Sequence, residues 1–225
     1  MKRFLLLLSA CCLTLGLQGQ ETAPKAIPDE VFYLMPSFTQ GTIFLRGQPP
    51  AQGMLNICAV DQSLRFLDDN GTELSANDPD AIRRVQLDTV SFLRSDGAFY
   101  RLYPVSPETG VALRRDVRIL RDVNQGAFGT TNQTSSIRQY STLYTDGAPQ
   151  QLNRDGKRSY VVSETVCVYC RDAVFKLTKA NLKKIFPDRK DEIEARFKSG
   201  KSIPDTVEEA SALLRLLNEG SRALE

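Results

Sequence analysis

The feature that most restricts the fold is a row of short extended runs cut apart by turn residues. Val31 to Met35, Thr42 to Arg46 after Gly41, and Met54 to Val60 after Gly53 are followed by Leu64 to Leu67, Arg84 to Leu87, Val90 to Leu93 and Ala98 to Tyr103. Between them stand the turn Asp68-Asp69-Asn70-Gly71 and the dipeptide Asp96-Gly97. Runs spaced by about 8 to 12 residues and joined through Asn-Gly or Asp-Gly specify antiparallel hairpins rather than βαβ units. The balance of 41% hydrophobic and 25% charged residues excludes disorder and collagen-like repetition.

The longest strand expected runs from Val111 to Val123. Val111, Leu113, Val117, Ile119 and Val123 share one parity and Arg114, Asp116, Arg118 and Asp122 the other, so its polar side carries alternating charges that can pair with neighbouring strands. An anion-gripping arginine ladder is the alternative to such a solvated face. Gln125 to Ser136 carries no charge and is built from Gly, Thr, Ser, Gln and Asn around Ala127 and Phe128. It reads as a long loop, either a connector or a contact segment in which Gly126, Phe128 and Gly129 face a partner.

Further on, Tyr160 to Val162 and Val166 to Cys170 are extended, and Arg171-Asp172 turns the chain into Ala173 to Leu177. The period then changes from 2 to 3.6. Thr178 caps a short helix ended by Pro187, Asp188 caps a second carrying Ile193 and Phe197, and Asp205 caps a third. In the third, Val207, Ala210, Leu213, Leu214 and Leu217 form an apolar stripe. Helices this short need a sheet or a partner to pack on. The expected fold is therefore α+β, mainly β: an antiparallel β meander or sandwich-like domain, followed by a C-terminal hairpin and about three short α-helices.

Met1-Lys2-Arg3 leads into an apolar stretch from Phe4 to Leu17, interrupted only by Ser9, Thr14 and Gly16. It is too short to cross a hydrocarbon core, which takes roughly 20 residues, and reads as a signal peptide cleaved near Gln20. Leu8-Ser9-Ala10-Cys11 also matches a lipobox, with Cys11 as the acylated residue; against it, the new terminus would be apolar where a polar tether is usual. The organisation expected is a signal peptide over 1–19, a mobile leader over 20–30, an antiparallel β domain over 31–124, a Gly/Ser/Thr-rich loop over 125–150, and a hairpin with a helical tail over 151–225. Loss of Lys2 and Arg3 brings the 29 basic side chains level with the 27 acidic ones. That balance gives no electrostatic reason to expect nucleic acid or an anionic membrane as partner.

The chain has no His, which removes the usual general base and the commonest metal ligand. Ser-His-Asp and Cys-His catalysis are excluded. Beyond the signal, Cys58, Cys167 and Cys170 remain. Cys167-Val168-Tyr169-Cys170 has the spacing of a redox motif, but its flanks favour a strand, where residues three apart face opposite sides. A disulfide between the two, a bridge from Cys58 to one of them, and burial as free thiols all fit. A zinc site would need all three thiolates and a carboxylate. The acidic pairs Asp68-Asp69, Asp188 with Asp191, and Glu208-Glu209 could in principle serve a two-carboxylate hydrolase, but solvation on a turn and dipole stabilisation in a first helical turn explain them better. Gly126-Ala127-Phe128-Gly129 lacks the Lys-Ser/Thr ending of a phosphate loop, so no cofactor is expected.

Three segments carry a resemblance: Gly53 to Ile57 with Gln62 to Phe66, Gly126 to Thr131, and Lys183 to Ile193, which contains Phe186-Pro187-Asp188-Arg189-Lys190-Asp191. In them the chain resembles a family of exported Gram-negative envelope proteins with a β-rich front half and a helical Phe-Pro-Asp-(Lys/Arg)-Lys-Asp tail. The resemblance implies location and architecture and brings no activity or catalytic residues. The cysteines depart from that family's pattern, which argues against a family-wide redox role. The expectation is an exported protein, periplasmic, outer-membrane-associated or extracellular. It would be a non-enzymatic binder of another envelope protein or a cell-surface structure, with exposed aromatics such as Phe99-Tyr100 as contacts. The alternative is an envelope enzyme, either a thiol-disulfide protein using Cys167 and Cys170 or a carboxylate-based hydrolase.

Overall fold

The computed structural model describes residues 27–120, 144–145, 148–149, 160–198 and 202–219. Strands β1 (Thr39–Leu45), β2 (Ala51–Ile57), β3 (Leu64–Leu67) and β4 (Glu73–Ser75) form a first antiparallel meander. A short 3-10 helix, Pro79–Ala81, leads back to β5 (Ile82–Leu87), which pairs with β1 and opens a second meander. That meander continues through β6 (Val90–Ser95), β7 (Ala98–Pro104) and β8 (Thr109–Ile119). After the small pair β9 (Tyr144–Thr145) and β10 (Ala148–Pro149), it is completed by β11 (Tyr160–Cys170) and β12 (Ala173–Lys176). The result is one ten-stranded sheet in the order β12-β11-β8-β7-β6-β5-β1-β2-β3-β4.

The turns follow from local chemistry. Ser95 pairs with Ala98 across Asp96-Gly97, both with positive φ (48° and 74°), the two-residue hairpin that matches strand twist. Asp68 Oδ1 accepts from the backbone N–H of Asn70 and Thr72 at 2.9 and 2.7 Å, which closes the turn between β3 and β4.

The sheet is far from flat. In a flat sheet β2 and β8 would lie five strand spacings apart, about 24 Å, yet the N–H of Val117 donates to Ala59 C=O at 3.1 Å. Strands β2, β1, β5, β6, β7 and β8 therefore roll into a barrel. Leu55, Ile57, Val85, Leu87, Phe92 and Phe99 fill its inner face. Gln62, held at φ 54°, locks the roll. Its Nε2 donates to Ala59 C=O and Arg115 C=O at 3.1 and 2.9 Å, and its Oε1 accepts from the N–H of Phe99 at 3.0 Å.

Three differences from the sequence reading have plain causes. Phe99 and Tyr100 are not exposed contacts: they lie in β7 and are buried on its two faces. Ile27 is buried with Phe32, Tyr33 and Cys58, and Asp29–Phe32 forms a helical turn α1, so the proline-rich segment is anchored from residue 27 onward. Arg114 and Asp116 pair along β8 itself, at 2.7 Å, and not across strands.

On the inner face beyond the barrel sit α2 (Lys179–Ile185), α3 (Lys190–Lys198) and α4 (Val207–Glu219). Thr178 Oγ1 accepts from the N–H of Asn181 and caps α2 as expected. Residues Pro187–Arg189 form a 3-10 turn ahead of α3, so Asp188 is not the cap of that helix. For α4 the cap is Thr206, whose Oγ1 accepts from the N–H of Glu209 at 3.2 Å, and not Asp205. Leu213, Leu214 and Leu217 pack with Leu182, Phe186 and Ile193 onto Val111 and Val168 of the sheet. No helix among the described residues is long and apolar enough to cross a membrane.

Candidate functional site

The outer face of the second meander also curves inward. Strands β5 and β11 are separated by β6, β7 and β8, four spacings or about 19 Å in a flat sheet. Asp172, in the turn after β11, nevertheless reaches Arg83 at 3.5 Å and Arg84 of β5 at 3.7 Å. The trough between them has an apolar floor of Leu93, Tyr100, Leu102, Ala112, Cys167 and Tyr169, all buried although they lie on the face opposite the barrel core. The sheet therefore has two concave surfaces of opposite sense.

At one end the trough opens into a cleft of about 400 Å³. Leu102, Pro104, Pro107 and Tyr169 supply its apolar wall. Ser91, Ser106, Arg84, Arg171, Glu108 and Asp172 supply the polar groups. Tyr169 is fixed because its ring lies against the backbone of Gly110, its partner on β8. A Cβ at Gly110 would come within 2.6 Å of that ring and 2.4 Å of Tyr103 C=O, so only glycine fits there. Arg171 Nε donates to Glu108 Oε2 at 3.1 Å and ties the β11–β12 turn to the β7–β8 turn. Each cation of the cleft is thus matched by a carboxylate.

The residues singled out in the sequence do not converge on one site. Cys58 is buried beside α1, its backbone paired antiparallel with that of Tyr33, whereas Cys167 lies in the floor of the outer trough. Cys167 pairs with Ala112 and Cys170 with Thr109 in one regular ladder. The two face opposite sides, about 10 Å apart along the strand, beyond the roughly 7 Å that a disulfide spans. All three are free thiols in the structure. Burial pushes each of them above the ordinary thiol range, Cys58 furthest, with Asp61 adding to the effect there. This is the reverse of what a nucleophilic thiolate requires.

The acidic pairs have local work. Asp68 closes its turn, while Asp191, Glu208 and Glu209 stand in the first turns of α3 and α4. Among the described residues no group of three or more Cys, Asp and Glu side chains is placed to hold a metal. A further charged cluster lies beside Cys58. Arg65, buried, donates to Asp61 Oδ2 at 2.5 Å and to Ser63 Oγ at 2.7 Å, and Tyr33 donates to Glu73 Oε2 at 2.7 Å. Its groups are engaged with one another and hold the β2–β3 loop. Cys11, Gly126, Phe128 and Gly129 lie outside the described residues.

Sequence reasoning missed the cleft. Arg84, Ser91, Glu108 and Tyr169 come from separate strands and turns, and only the turn Arg171-Asp172 gave a local signal. Curvature of the sheet brings them together, and no spacing in the chain encodes it. In comparisons with known proteins, no family model, no curated protein and no solved structure matches the chain.

Proposed function

We propose that the chain is an exported, envelope-associated binding protein without a catalytic role, and that it engages a cell-surface structure or another envelope protein through the outer cleft. The observation that carries this reading is the cleft itself, a preformed concavity with an apolar wall and a few convergent polar groups, as small binding sites usually have. The rival thiol-disulfide reading is disfavoured by thiols that are buried or half-buried, raised and set on opposite faces.

Export rests on the basic start and apolar run at the N-terminus. Fractionation of cells expressing the full chain, with N-terminal sequencing of the recovered protein, tests it. The expected product is found in the envelope and begins near Gln20; a cytosolic product that keeps Met1 overturns the assignment. A photo-crosslinking residue at Pro107, on the cleft, should form adducts in the envelope fraction. The same residue at Leu216 of α4, which is 51% exposed, should not.

A further inference from the structure

We infer that two copies of the chain pair through the open edge of β11, antiparallel and about a two-fold axis at Ser163. Along its whole length β11 pairs with β8, from Tyr160 opposite Ile119 to Cys170 opposite Thr109. On its other side β12 covers only Cys167 to Cys170. Among the described residues no strand lies beyond residues 160–166. The direction of the backbone there follows from the neighbouring turn. Cys170 and Ala173 close a two-residue hairpin and bond each other, while the N–H of Arg171 donates back to Glu108 C=O at 2.6 Å. Even-numbered residues of β11 therefore turn outward, and Tyr160, Val162, Glu164 and Val166 each present an N–H and a C=O at the open edge.

The other borders of the sheet are short or charged, as edges that resist pairing are. At the far end β4 has three residues, and its Glu73 is held by Tyr33. Strand β12 has four residues and ends in Lys176. Residues 160–166, by contrast, read Tyr-Val-Val-Ser-Glu-Thr-Val, with no Pro or Gly and a single charge. A run of this length and composition pairs readily with its own kind. Exposed apolar surface gathers at the same place. Tyr160, Val161 and Val162 are 36%, 50% and 38% exposed, and Leu120, which follows Ile119 at the end of β8, is 40% exposed.

Register identifies the occupant. About an axis at Ser163, Tyr160 faces Val166, Val161 faces Thr165 and Val162 faces Glu164 of the second copy. Outward residues then meet outward residues, and every open N–H and C=O is bonded. An axis at Val162 leaves both Val166 unbonded. An axis at Glu164 sets two carboxylates opposite each other and drives Tyr160 against Val168, where Phe175 already pairs. Both edges are already ordered by β8, so pairing fixes no new backbone, whereas a peptide that arrives unfolded must lose its chain entropy. The outer cleft lies at the Cys170 end of β11, so the contact leaves it open and does not depend on it.

Sedimentation equilibrium of the purified chain tests the pairing. A reversible dimer should appear with a dissociation constant on the order of 10 µM, since a single strand pair is smaller than a standard interface. The N–H of Val162 points away from β8, so Val162→Pro keeps the ladder to β8 and should weaken the dimer at least about tenfold. Ser163→Cys reads the register directly. At the axis the two Cα atoms stand about 4.5 Å apart, within disulfide reach, so mild oxidation should give a linked dimer. Two copies of Val161→Cys lie about 14 Å apart and should not link.

A monomer at every concentration up to about ten times that constant overturns the proposal. So does a dimer that gives no cross-link at position 163, or one that links equally well at 161. If Val162→Pro fails to fold, the two cysteine variants decide the matter by themselves.

Discussion

A single side chain, Gln62, joins three parts of the sheet that lie far apart in sequence. It bonds the end of β2, the middle of β8 and the start of β7, and its own carbonyl accepts from Arg94 Nη1 at 3.1 Å. Gln62→Ala removes the partner of Arg115 C=O and of the Phe99 N–H in the interior and takes one of two donors from Ala59 C=O. Each such group costs about 1 to 3 kcal/mol, partly relieved by water, so a loss of about 2 to 4 kcal/mol in denaturant unfolding is expected. Gln62→Glu should be at least as damaging, because a carboxylate cannot donate to Ala59 and Arg115. A variant that unfolds at the wild-type denaturant concentration would show that the roll closes without this residue. Gln62 stood out in the sequence only as part of a resemblance. Its role is invisible there because the three partners are 3, 37 and 53 positions away.

At the scale of elements, the sequence was most legible where a pattern is local. The β11–β12 turn, the cap at Thr178 and the apolar stripe of α4 all follow from residues within a few positions of one another. The stripe allows a quantitative expectation. Leu213 is 2% exposed and packs within the cluster that joins α4 to the sheet. Leu213→Ala should cost about 3 to 5 kcal/mol of stability through lost burial and a residual cavity. An unaltered melting curve would mean that α4 is not anchored and that its apolar face serves a partner.

Helices α2 and α3 are joined by Glu194, which accepts from Lys179 Nζ at 2.5 Å and also from Lys183 Nζ. These hydrogen bonds hold its carboxyl down to about 2. A carboxyl that titrates lower in the folded than in the unfolded state contributes fully above the ordinary carboxylate range, and the contribution is lost as pH falls toward the folded value. The melting temperature of the wild type should therefore fall between about pH 5 and about pH 2 by more than that of Glu194→Gln. Parallel pH profiles for the two proteins would contradict this assignment.

For the whole molecule the governing property is curvature. Hairpin spacing made the antiparallel class and the helical tail readable, because each hairpin is a local decision. Nothing local states that the first meander joins the second through β1 and β5, or that the sheet then bends one way around Phe92 and Phe99 and the other way around Leu102 and Tyr169. The same long-range bending explains why Tyr100, expected at the surface, is buried, and why the cleft could not be foreseen. Strand parity, by contrast, is local and was legible: Cys167 and Cys170, three apart on one regular strand, face opposite sides of the sheet.

The central claim is that the outer cleft, and not the thiols or the tail, is the contact surface. Amide resonances of the isotope-labelled protein, recorded with and without fractionated envelope extract, test it most directly. The account predicts that the perturbed signals cluster at Arg84, Ser91, Leu102, Ser106, Tyr169 and Asp172 and are lost when Asp172→Asn is used. Perturbation confined to the outward side of α4 around Leu216, or to residues beside Cys58, would contradict it.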